Sequence, residues 1–249
     1  MRSRALALTV FALFGAASIA AAQAPQGGGG RAAGAPAAGA RAEGGRAEGA
    51  RAGGGPARRP PLFFREEWKQ NEKNDEHPIT QASVANANLE LKTYGPNAAE
   101  MAITGKAGDE NNPIHVWTGL CTGPCAVMLR DKANYADLSG LARIRWNTKM
   151  SGYHQIRPMV KLADGNVYVG DQSDGSTRDW IVSEISFADL KWLKVDPARA
   201  VTTGNIVDKI DLSKVDEVGF IDLMPGSGHG AGGWVDVAEV EVYANKVAR

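Results

Sequence analysis

The side chains most suited to binding chemistry are aromatic and planar polar groups spread over residues 117–234. Carbohydrate binding needs ring faces that stack on sugars, together with planar donors and acceptors for hydroxyl or carboxylate groups. The candidate ligand-binding residues are Trp117, Trp180 and Trp234 as stacking platforms, with Arg145, Tyr153, Gln155 and Arg157 as polar contacts. We therefore predict a carbohydrate or another small polar ligand. The many Lys and Arg residues nearby favour an acidic glycan.

A glycine-rich stretch at 225–233 places His229 close to Trp234. Its spacing matches the dinucleotide-binding fingerprint, but only 16 residues follow Gly233. That length has no room for the helix, second strand and acidic residue that the fingerprint requires. Two interpretations stay open, a long connection in a β-sandwich and a loop whose backbone approaches a ligand. We include His229 among the candidate ligand-binding residues.

The two cysteines, Cys121 and Cys125, are separated by Thr-Gly-Pro. In an exported chain this spacing predicts a small disulfide loop. Free thiols or a chemical role are the alternatives. The Cys-x-x-Cys redox spacing is absent, and two cysteines alone do not make a zinc site.

Metal and catalytic motifs are weak. The four histidines lie on separate segments with no metal-binding spacing, so we predict no metal site from them, and His154 has the parity of a core residue. Oxygen-rich residues at 164–179 indicate turns or a structural Ca²⁺ site; no other cofactor is predicted. No nucleophile-elbow motif occurs, although Glu184 and Asp222 lie in predicted strands and could serve as carboxylate catalysts.

Strict alternation of apolar and polar residues, rather than a helical period, runs through the second half of the chain. In 143–150, Ile144 begins the apolar face and Arg145 belongs to the polar face. We predict that 143–150, 153–162 and 167–169 form a three-stranded meander, with polar faces side by side. That polar face could line a ligand groove or be a solvated outer surface. Further strands are predicted at 89–94, 101–104, 114–117, 126–130, 180–187, 217–223 and 234–243.

Two smaller features complete the local predictions. Pro158 within a strand pattern indicates an edge strand or a bulge. Residues 186–190 and 196–200 could form single helical turns. Nine or ten short strands separated by turn signals are typical of an all-β antiparallel sandwich, such as a jelly roll.

The segment Tyr135–Trp146, with Asp-Leu-Ser-Gly before an alternating strand, resembles the galactose-binding-like jelly rolls. This superfamily includes carbohydrate-binding modules and the complex I intermediate-associated type of domain. Residues 211–220 are similar to its penultimate strand and 234–243 to its closing strand. The resemblance covers about residues 89–245 and implies the fold alone, because such folds host many functions.

Composition divides the chain into three segments. Residues 1–24 have the Arg-containing start, apolar run and Ala-x-Ala end of a signal peptide, which predicts export to the periplasm or outside the cell. Residues 25–59 repeat Gly, Ala and Arg and predict a disordered linker. Residues 60–249 hold all the Trp, Tyr, His and Cys residues and predict one β-sandwich domain. After signal cleavage we expect no stable membrane span.

The balanced charge of the whole chain conceals an acidic folded segment. Residues 60–249 contain 20 basic and 26 acidic residues, a net charge of −6. This charge argues against a nucleic-acid partner. We predict an exported, non-catalytic carbohydrate-binding protein. A secreted glycan-active hydrolase or lyase and an envelope assembly or protein-interaction domain are the alternatives.

Overall fold

The computed structural model describes residues 58–119, 121–223 and 233–249. The predicted signal peptide, nearly all of the predicted linker, and most of the glycine-rich stretch with His229 lie outside these residues.

The described residues form two antiparallel β-sheets. Sheet A contains β1 (Leu62–Glu66), β2 (His77–Pro78), β4 (Ala102–Thr104), β5 (His115–Trp117), β8 (Arg143–Gly152), β11 (Ile181–Ser186) and β15 (Gly233–Tyr243). Sheet B contains β3 (Leu89–Tyr94), β6 (Cys125–Asp131), β7 (Asn134–Asp137), β9 (Ile156–Leu162), β10 (Val167–Gly170), β12 (Trp192–Asp196), β13 (Val201–Val207), β14 (Val215–Asp222) and β16 (Asn245–Ala248). The predicted all-β antiparallel sandwich is confirmed.

Strand order explains how the chain builds the two layers. Sheet A runs β11-β8-β15-β5-β4-β2. Strand β15 is longer than β5, and β1 pairs with the C-terminal part of β15, beyond the residues that pair with β5. Sheet B runs β13-β12-β10-β9-β14-β6-β3, with β7 beside β14 and β16 beside β7. The long strands β8, β14 and β15 lie inside their sheets, which gives the sandwich a rigid centre.

The core lies between the sheets and follows the alternation in the sequence. In β8, the four residues Ile144, Trp146, Thr148 and Met150 are buried, as predicted. Ile144, Trp146 and Met150 pack in one cluster with inward residues of sheet B such as Val160 and Phe220. A second, smaller apolar cluster covers the opposite face of sheet B and includes Met128, Met159 and Val169. Sheet B is therefore apolar on both faces over part of its area.

The predicted three-stranded meander is wrong at its first turn. β8 belongs to sheet A, whereas β9 and β10 belong to sheet B, so the chain crosses between layers after Gly152. Alternation sets which face a residue occupies, but it does not set which strands are neighbours. The polar face of β8 consequently does not lie beside that of β9.

Pro158 is likewise not on an edge strand, because β9 pairs with both β10 and β14. The β9–β10 pairing ends at Met159, so Pro158 lies just beyond it. Proline has no N–H to donate, and at this position no hydrogen bond to β10 is lost.

Short turns and the disulfide complete the framework. A 3₁₀ turn spans Phe187–Asp189, as predicted, whereas residues 197–200 form a non-helical turn. Two further 3₁₀ turns span Gln81–Ser83 and Ala98–Glu100. Cys121 and Cys125 form the predicted disulfide at the start of β6. Within the described ranges no helix is long and apolar enough to cross a membrane.

Candidate functional site

A polar concavity of about 210 Å³ opens on the outer face of sheet A. It brings together two of the predicted stacking platforms, Trp117 and Trp234. We call this concavity the tryptophan site; its lining residues are Glu76, Thr104, Asn112, His115, Trp117, Trp234 and Asp236.

The period of the β-strand explains why these side chains meet. His115 and Trp117 are two residues apart on β5, so both point away from the core while Val116 is fully buried between them. Trp234 and Asp236 have the same relationship on β15. The antiparallel register sets Asp236 directly opposite Trp117. Two short polar-aromatic alternations, far apart in sequence, thus form one surface.

His115 and Asp236 form the floor of the site. Nε2 of His115 lies 3.2 Å from Oδ1 of Asp236, and Nδ1 lies 2.7 Å from the carbonyl oxygen of Pro113. Both residues are more than nine-tenths buried.

Trp180 packs against the His115 ring. Its ring meets the His115 ring edge-on at 5.2 Å between centroids, and its Nε1 donates to the carbonyl oxygen of Asn111 at 3.1 Å. Trp180 thus contacts His115 from outside the lining, whereas Trp117 and Trp234 line the concavity together with His115.

The lining of the tryptophan site carries net negative charge. Glu76 is exposed at its rim and Asp236 is buried at its floor. The nearest basic residue in the β-ladder is Lys149 of β8, which pairs in register with Asp236 but does not line the concavity.

Arg145 lies on the same outer face but at the other end of sheet A. Its Nη1 donates to Oε2 of Glu241 at 2.9 Å. Arg65 also binds Glu241, and the hydroxyl of Tyr243 donates to the same carboxylate at 2.8 Å. Arg143 pairs with Glu184 at 2.7 Å. Arg143 and Arg145, two of the basic residues of β8 that suggested an acidic ligand, are thus engaged with carboxylates of neighbouring strands.

The other sequence-predicted contacts lie away from the tryptophan site. Tyr153 is 80% exposed in the β8–β9 crossing, and Gln155 accepts a hydrogen bond from Ser173 at 3.2 Å. Arg157 donates to the carbonyl oxygen of Asp171 on the outer face of sheet B. There it lines a separate cavity of about 540 Å³.

This larger cavity has a different chemistry. Most of its wall is aliphatic, including Val169, Leu193 and Ile206, and its aromatic member Trp192 is only 1% exposed. It therefore offers almost no aromatic face to a sugar ring. Beside it, the buried carboxylate of Glu217 accepts hydrogen bonds from Tyr94 and Lys161, each at 2.8 Å. Glu217 is therefore already bound by side chains of the protein itself.

The oxygen-rich segment 164–179 uses its carboxylates partly in a turn and partly in long-range hydrogen bonds. Asp164 accepts from Asn166, Asp171 accepts from the Lys191 amide, and Asp174 accepts from Trp146 and Ser183. Among the described residues, no three His, Cys, Asp or Glu side chains cluster as a metal site. The carboxylates suggested for catalysis are also engaged, Glu184 with Arg143 and Asp222 with His154.

Sequence reasoning missed most of the polar lining. Parity alone could have paired His115 with Trp117 and Asp236 with Trp234, because both pairs are two residues apart. No local signal shows that β5 lies beside β15, nor that Glu76, Thr104 and Asn112 reach the same place. These contacts depend on the order of strands in sheet A.

The chain matches no protein-family model. No curated protein sequence matches it significantly. Solved structures with similar folds include a family 11 carbohydrate-binding module of the cellulase Lic26A-Cel5E of Clostridium thermocellum. The identity is 16%, 68% of this chain and 95% of that chain are covered, and the TM-score is 0.40.

Two further structures are also similar. TmCBM61, solved with β-1,4-galactotriose, is 12% identical, with 62% of this chain and 88% of that chain covered and a TM-score of 0.35. An exo-β-agarase is 12% identical, with 70% of this chain but only 25% of the agarase covered and a TM-score of 0.39.

Proposed function

We propose that this protein binds carbohydrate at the tryptophan site. The observation that carries the proposal is the convergence of Trp117 and Trp234, both partly exposed, on the polar floor formed by His115 and Asp236. Indole faces stack on sugar rings, and the carboxylate and amide groups around them bind hydroxyls. At about 210 Å³ the site is smaller than a typical drug-sized pocket. It therefore suits one ring of a glycan rather than a long buried chain.

A glycan array followed by calorimetry tests this function on the full chain. We expect Trp117→Ala and Trp234→Ala each to weaken glycan affinity at least about tenfold, since aromatic anchors carry much of the energy of a binding site. Tyr135→Ala is the matched control, because Tyr135 is a partly exposed aromatic on β7 of sheet B. The absence of any glycan ligand, or binding that neither tryptophan variant weakens, would refute the proposal.

A glycan-active enzyme is the second candidate, because the tryptophan site also contains two carboxylates, Glu76 and Asp236. Paired carboxylates are the usual catalysts of glycoside hydrolysis. Release of new reducing ends from a bound polysaccharide, abolished by Asp236→Asn without loss of binding, would establish this function. Binding with no product over long incubation would leave the non-catalytic role. Co-purification of one stable partner without any glycan response would instead support an interaction domain.

Export is part of the same proposal. The Cys121–Cys125 disulfide suits an oxidising compartment, and the first 24 residues have the pattern of a cleaved signal. Cell fractionation with N-terminal sequencing should find a mature chain that begins at residue 25. A chain that retains its first residues in the cytoplasm would contradict export.

A further inference from the structure

We infer that the tryptophan site prefers an amino sugar with a free, protonated amine over neutral or acidic sugars. The inference rests on the proposed function and names the sugar class for that same site. Its basis is the negative charge of the two lining carboxylates, Glu76 and Asp236, neither of which was among the polar contacts predicted from the sequence.

The floor offers a buried acceptor that the protein leaves underused. Asp236 is 8% exposed, and within the described part of the chain its Oδ1 receives no well-aligned hydrogen bond. The nearest donor atom is Nε2 of His115 at 3.2 Å. A buried carboxylate oxygen without a well-formed hydrogen bond is costly unless a partner completes it. An ammonium group entering the concavity would supply that partner.

The rim adds a second carboxylate and two aromatic faces. Glu76 is exposed at the mouth, and Trp117 and Trp234 line the same space. Tryptophan is the best aromatic partner for a cation, and an ammonium group is attracted to its ring face. Aromatic rings combined with acidic side chains form the usual recognition site for organic ammonium groups.

The basic side chains that would favour an acidic sugar are held elsewhere on sheet A. Arg145 is bound to Glu241, and Arg143 is bound to Glu184. Lys149 is adjacent to Asp236 in the ladder but outside the lining, so it only reduces the local negative potential. An acidic glycan would therefore meet Glu76 and Asp236 without a guanidinium to bind its carboxylate.

The test compares a free-amine oligomer with its N-acetylated counterpart and adds an acidic oligomer as a third ligand. Glucosamine oligomers, their N-acetylated counterparts and galacturonic acid oligomers are titrated into the full chain at about pH 6, where a sugar amine is protonated. We expect the free-amine oligomer to bind at least about tenfold more tightly than the N-acetylated one, because hydrogen bonds to charged groups are stronger than neutral ones. Added salt should reduce this preference through screening.

Two charge-removing variants test the source of the preference. Glu76→Gln changes an exposed rim side chain and Asp236→Asn preserves the shape of the floor. Each should reduce the tenfold ratio towards unity, because the free-amine oligomer loses more affinity than the N-acetylated oligomer when a carboxylate charge is removed. Glu67→Gln, whose side chain is 60% exposed near β1, is the control and should keep the full ratio.

The outcomes separate the two proposals. Equal affinity for free-amine and N-acetylated oligomers, or tighter binding of the acidic oligomer, would overturn the amino-sugar preference while carbohydrate binding stands. Failure of every glycan to bind would overturn both. A preference that persists in Glu76→Gln and Asp236→Asn would place the ammonium outside this site.

Discussion

Nδ1 of His154 lies 2.6 Å from Oδ2 of Asp222, and neither side chain is exposed to solvent. His154 lies in the crossing from sheet A to sheet B, and Asp222 ends β14. The hydroxyl of Thr118, just after β5, reaches the same carboxylate oxygen at 3.3 Å. One buried carboxylate thus connects both sheets at the end of the sandwich next to the tryptophan site.

Because this pair is fully buried, His154→Ala removes the imidazole that lies 2.6 Å from a buried carboxylate. We expect His154→Ala to lower the free energy of unfolding by about 3–5 kcal/mol. Urea denaturation followed by tryptophan fluorescence measures the change. The neighbouring Tyr153→Ala, at an 80% exposed side chain, should change stability by less than about 0.5 kcal/mol. A loss of under about 1 kcal/mol for His154→Ala would show that the pair is not a structural link.

The sequence predicted which side of its strand a residue occupies better than it predicted which strands pair with each other. Alternation correctly assigned the buried side of β8, and the apolar parity of His154 correctly placed it in the core. The same alternation could not tell that β9 joins the other sheet, because strand pairing depends on contacts between distant segments. The predicted polar groove across β8 and β9 failed for this reason.

Strands with weak alternation were missed altogether. β13 is exposed along nearly its whole length, so it has no apolar period to read, and β2 has only two residues. β1 matters most for the site face, since Arg65 reaches Glu241 from it. Its short Leu-Phe-Phe run has no polar-apolar alternation.

Glu241 binds three side chains on the outer face of sheet A, although its own side chain is fully buried. Burial by itself raises the pKa of Glu241, but hydrogen bonds from Arg65 and Tyr243 and the charges of Arg65 and Arg145 outweigh it, so the pKa lies below its ordinary value. A depressed folded-state pKa adds stability at pH values above the unfolded pKa. That stability is lost as the pH falls from about 4.5 through the folded pKa.

Glu241→Gln removes this contribution. We expect a loss of about 2 kcal/mol near neutral pH, between the values for exposed and buried pairs, since Arg65 and Arg145 remain partly solvated. The difference from the parent should shrink on acidification. Denaturation midpoints measured from neutral to acid pH give both quantities, with Glu72→Gln, at an exposed side chain, as the control. A constant difference at all pH values would exclude the ionised carboxylate as its source.

Tyr94 provides an independent test on sheet B. Burial and its hydrogen bond to Glu217 raise the pKa of its phenol to about 12. A raised folded-state pKa gives stability that is complete below the unfolded value of about 10 and is lost between about 10 and 12. Ultraviolet titration should therefore show the Tyr94 phenol ionising well above the ordinary tyrosine value of about 10.

Tyr94→Phe should remove the late step from that titration and flatten the alkaline loss of stability. The control Tyr153→Phe, at an 80% exposed side chain without contact to Glu217, should leave the late step in place. Ionisation of all phenols together near pH 10 in the folded chain would contradict the buried contact with Glu217.

The position of the Trp117 indole depends on Gly119. A Cβ atom at residue 119 would lie 2.3 Å from Cε2 and 2.4 Å from Nε1 of Trp117, far inside van der Waals contact. Trp117 is partly exposed, so its ring can swing outward instead of disrupting the core.

We therefore expect Gly119→Ala to weaken glycan binding about tenfold, like loss of the platform itself, with little change in unfolding free energy. Gly175→Ala is the matched control, because its Cβ would meet nothing closer than 3.8 Å, and it should bind like the parent. Parent-like affinity in folded Gly119→Ala would show that the indole orientation does not determine binding, and that the ligand contacts a different surface.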